Sequence, residues 1–118
     1  MKSNNLINFN VLYEHLGEIE FDLYLLKMAI AICIALNTTL KTLMSRNQQS
    51  FFVLERMVFT KLMVIHTTTI KISEILNMDH ATIQYYKKKD MDYDKKLKDK
   101  YDEAIIKLYY KTEKNLLY

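Results

Sequence analysis

Proline is absent from this sequence and glycine occurs once, at Gly17. Proline breaks helices because it lacks a backbone N–H and clashes with the preceding turn, and tight hairpins need residues that tolerate positive φ. A chain almost devoid of both predicts an all-α fold: a compact bundle of six to seven helices in one domain over residues 1–118, the length of a single hydrophobic core. The same scarcity excludes function classes. Neither a phosphate-cradling GxxxxGK[ST] loop nor a GxGxxG turn can be written with Gly17 alone, so neither nucleotide hydrolysis nor a dinucleotide cofactor is expected.

Chemistry-bearing residues are equally sparse. Cys33 is the only cysteine, which rules out an internal disulfide or thiolate zinc cluster and fits a reducing, cytoplasmic compartment. Its neighbours, "MAIAICIAL", predict an inert buried thiol. The histidines are His15, His66 and His80, with no HExxH and no CxxC, so no metal, cofactor or enzymatic activity is expected. The apolar run "LYLLKMAIAICIAL" (23–36) contains Lys27 and is shorter than the roughly 20 residues of a membrane span. It reads as a core helix, and the N-terminus lacks the pattern of a signal peptide, so no membrane partner is expected.

Charge is unevenly distributed. Residues 1–40 carry Lys2 and Lys27 against Glu14, Glu18, Glu20 and Asp22, whereas residues 41–118 carry 15 basic and 10 acidic side chains. A polyanion would be met by the second part.

Periodicity and capping residues divide the chain. A short helix over 6–16 is expected to stop near Gly17, followed by a helix over 18–36 with acidic residues in its first turns. "NTT" (37–39) supplies N-cap residues for a short helix "LKTLM", and "SRNQQS" (45–50) is a polar loop. "FFVLERMVFTKLMVIH" (51–66) reads as the central helix, apolar almost all round but for Glu55, Arg56, Thr60 and Lys61. "TTTIKI" (67–72) could be a strand by β-branching, but no partner strand is visible, so a loop leading into a helix over 70–76 is preferred. A C-terminal amphipathic helix over 94–117 places Leu97, Tyr101, Ala104, Ile105, Leu108, Thr112 and Leu116 at helical spacing. The apolar surplus in 18–36 and 51–66 suits a monomer core and a helical homodimer equally.

"NMDHATIQYYKKK" (77–89) carries the strongest functional signal. Asp79 beside His80 invites a catalytic or metal reading, but no further ligand or nucleophile accompanies the pair. A helix-turn-helix over 70–89 accounts for more. Ile72, Ile75 and Leu76 give the first helix a buried face, Asn77 and Met78 make the turn, and Asp79 caps the second helix. Ile83 and Tyr86 would then pack inward, with His80, Gln84, Lys87 and Lys88 on the opposite face. His80 and Gln84 can hydrogen-bond to base edges, and Ala81 and the Thr82 methyl can touch a thymine methyl. Lys87 and Lys88, with Lys89, would add sequence-independent affinity for phosphates.

At this point the chain resembles a known family. "NMDHATIQYYKK" is similar to the signature of the C-terminal DNA-binding domain of the bacterial replication initiator DnaA, an Asp-His-Thr-Thr-Val core followed by a basic helix end. The likeness extends back through "IKISEIL" (70–76), "LERMVFTKLM" (54–63) and "ALNTTLKTLMSRNQQ" (35–49), covering roughly residues 27–89. It implies an all-helical domain that binds short duplex sites, with Asp79, His80, Ala81 and Thr82 at the major groove and Arg46 reaching the minor groove from the loop. Ala81 replaces the family's first threonine, the loop "SRNQQS" holds one basic residue, and the turn lacks glycine. No ATPase segment accompanies the motif, which implies a free-standing module of the kind phages and mobile elements encode. The expected function is therefore sequence-selective double-stranded DNA binding in replication or transcription control. The alternative is an interaction protein or inhibitor that turns the same scaffold against a host protein or ribonucleoprotein.

Overall fold

A computed structural model describes residues 16–117, with side chains over residues 23–108. These residues form α1 (Leu16–Ala35), α2 (Leu40–Met44), α3 (Ser50–Met63), α4 (Thr69–Leu76), α5 (His80–Lys88), a 3₁₀ turn (Met91–Tyr93) and α6 (Lys95–Leu117). The fold is all-α, and no strand occurs among the described residues. "TTTIKI" accordingly gives a connection and the start of α4.

The helix expected over 6–16 lies outside the described residues except at its last position. Gly17 corrects the reading made of it: it sits inside α1 rather than past a helix end. One glycine costs a helix only about 1 kcal/mol relative to alanine, which the long run after it readily offsets. α1 ends where Asn37 takes a left-handed conformation (φ 58°). Thr38 N–H then donates to Cys33 O (2.9 Å) and Asn37 N–H to Ile34 O (3.0 Å), the paired bonds that close a helix on an αL residue. Asn37 is thus the stop of α1, and within "NTT" it is Thr39 that caps α2, its Oγ1 accepting from Thr42 N–H at 3.1 Å.

α3 is the central helix, packing on all five other α-helices. It stops at Met63, three residues before the expected end at 66. The β-branched run Val64, Ile65 and Thr67–Thr69 loses side-chain freedom in a helix, and Thr68 instead caps α4 by accepting from Lys71 N–H. The core is continuous. α1 gives it Leu25, Ala29, Ile32 and Cys33; α3 gives Val58, Phe59, Leu62 and Met63; Ile72, Leu76, Ile83, Tyr86, Leu97 and Ala104 complete it. Burial, followed by the nearby Glu55 charge, pushes the Cys33 thiol up to about 11. A thiol so far from ionisation is a poor nucleophile at neutral pH.

Three of the five polar residues of α3 are buried: Glu55, Arg56 and Thr60. Neither Glu55 carboxyl oxygen lies in hydrogen-bonding geometry with a donor. Burial raises its pKa, opposed by Lys100, Thr38 and Arg56 nearby. α6 begins on Asp94, whose Oδ1 accepts from Leu97 N–H, and its outer face carries Lys95–Asp99 and Lys98–Asp102 pairs at 3.3 and 3.2 Å.

Candidate nucleic-acid interface

The connection between α4 and α5 is Asn77, Met78 and Asp79. Eight residues of α4 cannot turn sharply into α5 without one residue in the left-handed region, where a β-carbon is normally penalised. Asn77 occupies it at φ 53°, ψ 49°. Met78 N–H donates to Ser73 O (2.9 Å) and Asn77 N–H to Glu74 O (3.3 Å), satisfying carbonyls at the end of α4. Two residues later Asp79 starts α5, its Oδ2 accepting from Ala81 N–H at 3.1 Å.

α5 is anchored from one side. Ile83 is fully buried and Tyr86 nearly so, packed in the core that α3 and α4 share. His80, Ala81, Lys87 and Lys88 are exposed, and Thr82 and Gln84 are half-buried. The side chains expected to act together thus share one short helix. Arg46, also exposed, lies apart on the α2–α3 loop.

Three residues that position α5 or the α2–α3 loop have no such role predicted from the sequence. Thr69, at the start of α4, sets its Oγ1 2.8 Å from His80 Nε2, and Gln84 Nε2 lies 3.3 Å from the same nitrogen. The Thr69 hydroxyl and the Gln84 amide both lie within hydrogen-bonding distance of this one ring nitrogen. The cluster ties the first turn of α5 to the first turn of α4 and holds His80 and Gln84 in one arrangement. Lys61 of α3 donates Nζ to the carbonyls of Lys87 (3.0 Å) and Lys89, capping the C-terminus of α5. Burial lowers the Lys61 pKa, with Asp90 acting in the opposite direction.

The third is Arg56. Its Nε donates to Leu43 O at 2.8 Å and its Nη2 to Ser45 O, so a fully buried guanidinium fastens the end of α2 and the residue next to Arg46. The sequence signal was an arginine inside "VLERMVF", where an exposed role would leave a charge among apolar neighbours. No spacing rule connects it to a loop 11 residues earlier.

The basic end of α5 is short-ranged. Lys87, Lys88 and Lys89 are followed by Asp90, Asp92 and Asp94, and Asp90 and Asp94 hold local caps at Asp92 N–H and Leu97 N–H. Among the described residues no cluster of histidine, cysteine and carboxylates could hold a metal ion, and no helix is long and apolar enough to cross a membrane. No protein-family model, curated protein or solved structure matches this chain.

Proposed function

We propose that this protein is a sequence-selective double-stranded DNA-binding module in which α4 and α5 act as a helix-turn-helix and α5 enters the major groove, serving replication or transcription control in a phage or mobile element. The observation that carries the reading is the α5 surface: one face is locked into the core by Ile83 and Tyr86, while His80, Ala81, Lys87 and Lys88 are left exposed. A recognition helix needs that division, because base readout requires side chains held in place by a scaffold they do not belong to. His80 and Gln84 supply groups for base edges, Ala81 and Thr82 methyl contacts, and Lys87 and Lys88 phosphate contacts. Arg46 would reach the neighbouring groove from a loop that Arg56 holds. The resemblance of residues 27–89 to the initiator's DNA-binding domain supports the same assignment.

Selection of bound duplexes from a random pool tests it directly. Recovery of a defined site is expected, with affinity falling steeply as salt rises. His80→Ala and Gln84→Ala should relax sequence preference, whereas Lys88→Ala should weaken all duplexes alike. Unchanged preference in both of the first two variants removes α5 as the reading helix.

A second reading is favoured by the acidic run that follows Lys89 and by the single arginine of the 45–50 loop, which together make a thin footprint for a polyanion. On that reading the same surface binds a host protein or ribonucleoprotein and inhibits it. A stoichiometric host partner recovered by pulldown, with no duplex shifted at low salt, would decide for it.

A further inference from the structure

The N-terminus of α4 is capped by Thr68, whose Oγ1 accepts from Lys71 N–H at 3.2 Å. The neighbouring hydroxyl, Thr69 Oγ1, instead reaches across the turn to His80 Nε2 at 2.8 Å. One helical turn further along α5, Gln84 Nε2 lies 3.3 Å from the same ring nitrogen. A ring nitrogen offers a single hydrogen-bonding position, either a lone pair or an N–H. A hydroxyl suits both, donating to the first and accepting from the second, whereas an amide nitrogen only donates. Thr69, the nearer partner, can therefore hold the ring in either state.

We propose that Thr69 is a positioning residue for base recognition: through the His80 ring it presents the Gln84 amide to one base pair of duplex DNA, at which adenine is preferred. This rests on the reading of α5 as the recognition helix. Gln84 is half-buried beside Ile83, which is fixed in the core, and a long side chain of this kind is costly to order on binding. A ring already held in place one turn away on the same helix face narrows the conformations open to it. The amide nitrogen carries two N–H groups, so contact with the ring does not exhaust it. Oε1 and an N–H remain, the pair that N6 and N7 of adenine take.

The contact comes from α4, outside the helix that would enter the groove. Thr69 is half-buried and β-branched, so its side chain has little rotational freedom. It stands in the first turn of a helix whose Ile72 and Leu76 are fully buried, and the Asn77 turn fixes that helix against α5. Lys87 and Lys88 lie at the opposite end of α5, where contacts to phosphate would add affinity without discriminating between sequences. Base preference and general affinity are thus assigned to different ends of one short helix.

Selection of duplexes from a random pool, run on the full chain and its variants side by side, tests the assignment. Gln84→Ala should lower discrimination at one base pair about 5-fold or more, the scale of a bidentate base contact. Thr69→Val keeps the side-chain shape and removes the hydroxyl. It should lower discrimination at that same base pair about 3-fold or more, the scale of one net hydrogen bond, and leave affinity for unrelated duplexes and the denaturation midpoint unchanged. Thr69→Ser should restore the preference. In the free chain the His80 Nε2 resonance, read by nitrogen NMR, should move in Thr69→Val and return in Thr69→Ser. A Thr69→Val chain that keeps the preference Gln84→Ala removes overturns the proposal and leaves the DNA reading standing. Equal weakening of all duplexes, failure of Thr69→Ser to restore the preference, or a His80 resonance indifferent to Thr69→Val does the same. A base other than adenine at the Gln84-dependent position overturns the adenine assignment. A wild-type chain that selects no duplex overturns the DNA reading itself, and this inference with it.

Discussion

Helices α1 and α5 each bury one face completely, yet their outer faces are opposites. α5 turns His80, Ala81, Lys87 and Lys88 outward, whereas α1 turns out Leu23, Leu26, Ile30 and Ile34. α5 is amphipathic in the ordinary sense, so one contact surface completes it and the other side meets water. α1 is apolar on both sides over residues 23–35, and the described residues bury one of them. Similar inner faces thus carry two kinds of outer face, and the difference lies wholly in residues the core does not use.

Both helices pack on α3, and the largest effect that would disturb the comparison is expected there. Arg56→Ala removes a buried guanidinium, leaves the Leu43 carbonyl without its donor and opens a cavity. A loss of about 3–5 kcal/mol should follow, read by chemical denaturation, because an orphaned buried acceptor and a cavity each cost kilocalories. Next come the inner faces themselves. Ile32→Ala on α1 and Ile83→Ala on α5 remove equivalent, fully buried side chains, and each should cost about 3 kcal/mol. A large inequality between them would break the claim that the two helices are anchored alike.

The turn before α5 sharpens the contrast in a smaller way. Asn77→Ala forces a β-branch-free but still penalised residue into the left-handed region and should destabilise by about 1 kcal/mol, while Asn77→Gly should be close to neutral. The outer faces should barely register in the stability of the monomer. Ile30→Ala and Lys88→Ala are each expected within about 0.5 kcal/mol of wild type by chemical denaturation. On the proposed DNA reading their effects should still separate: Lys88→Ala should lower the slope of log affinity for duplex against log salt by about 0.9, the loss of one phosphate contact, and Ile30→Ala should leave that slope unchanged.

The last prediction concerns pH. Burial raises the Glu55 pKa above its ordinary 4.5, so the folded protein holds that proton more tightly than the unfolded chain does. Its contribution to stability is complete below pH 4.5 and is lost as pH rises through the folded value. Glu55→Gln should therefore stabilise the protein at neutral pH and flatten the dependence above pH 4.5, measured as denaturation midpoints across a pH series. A Glu55→Gln chain less stable than wild type at neutral pH would mean that the carboxylate makes a compensating contact.

Much of this architecture was legible in the order of residues. Thr39, Thr68 and Asp79 each precede a helix and each caps it. Asn77 does what glycine does elsewhere, because it tolerates the left-handed region and no glycine is at hand. Capping and turn chemistry act over two to five residues, and such interactions can be read directly along the chain. Gly17 and Asn37 were misread because each residue type suits more than one place: glycine can be absorbed within a helix, and asparagine both begins helices and ends them.

The surface around α5 was less legible. Its outward residues could be named from helical spacing, but Thr69 and Lys61 reach it across 11 and 26 residues, and Arg56 reaches the α2–α3 loop across 11. A threonine near the start of one helix and a histidine at the start of the next meet only because Asn77 folds the two together. The two faces of α1 make the same point. Hydropathy along 23–36 predicts that the helix is buried and cannot say which side stays exposed among the described residues. Local chemistry in the chain therefore settles the helices, their caps and the turn at Asn77, since backbone hydrogen bonds and φ preferences are short-range. Packing on α3 settles which buried polar groups hold the 45–50 loop and α5 and which apolar side chains stay exposed among the described residues, because burial depends on neighbours that are distant in sequence.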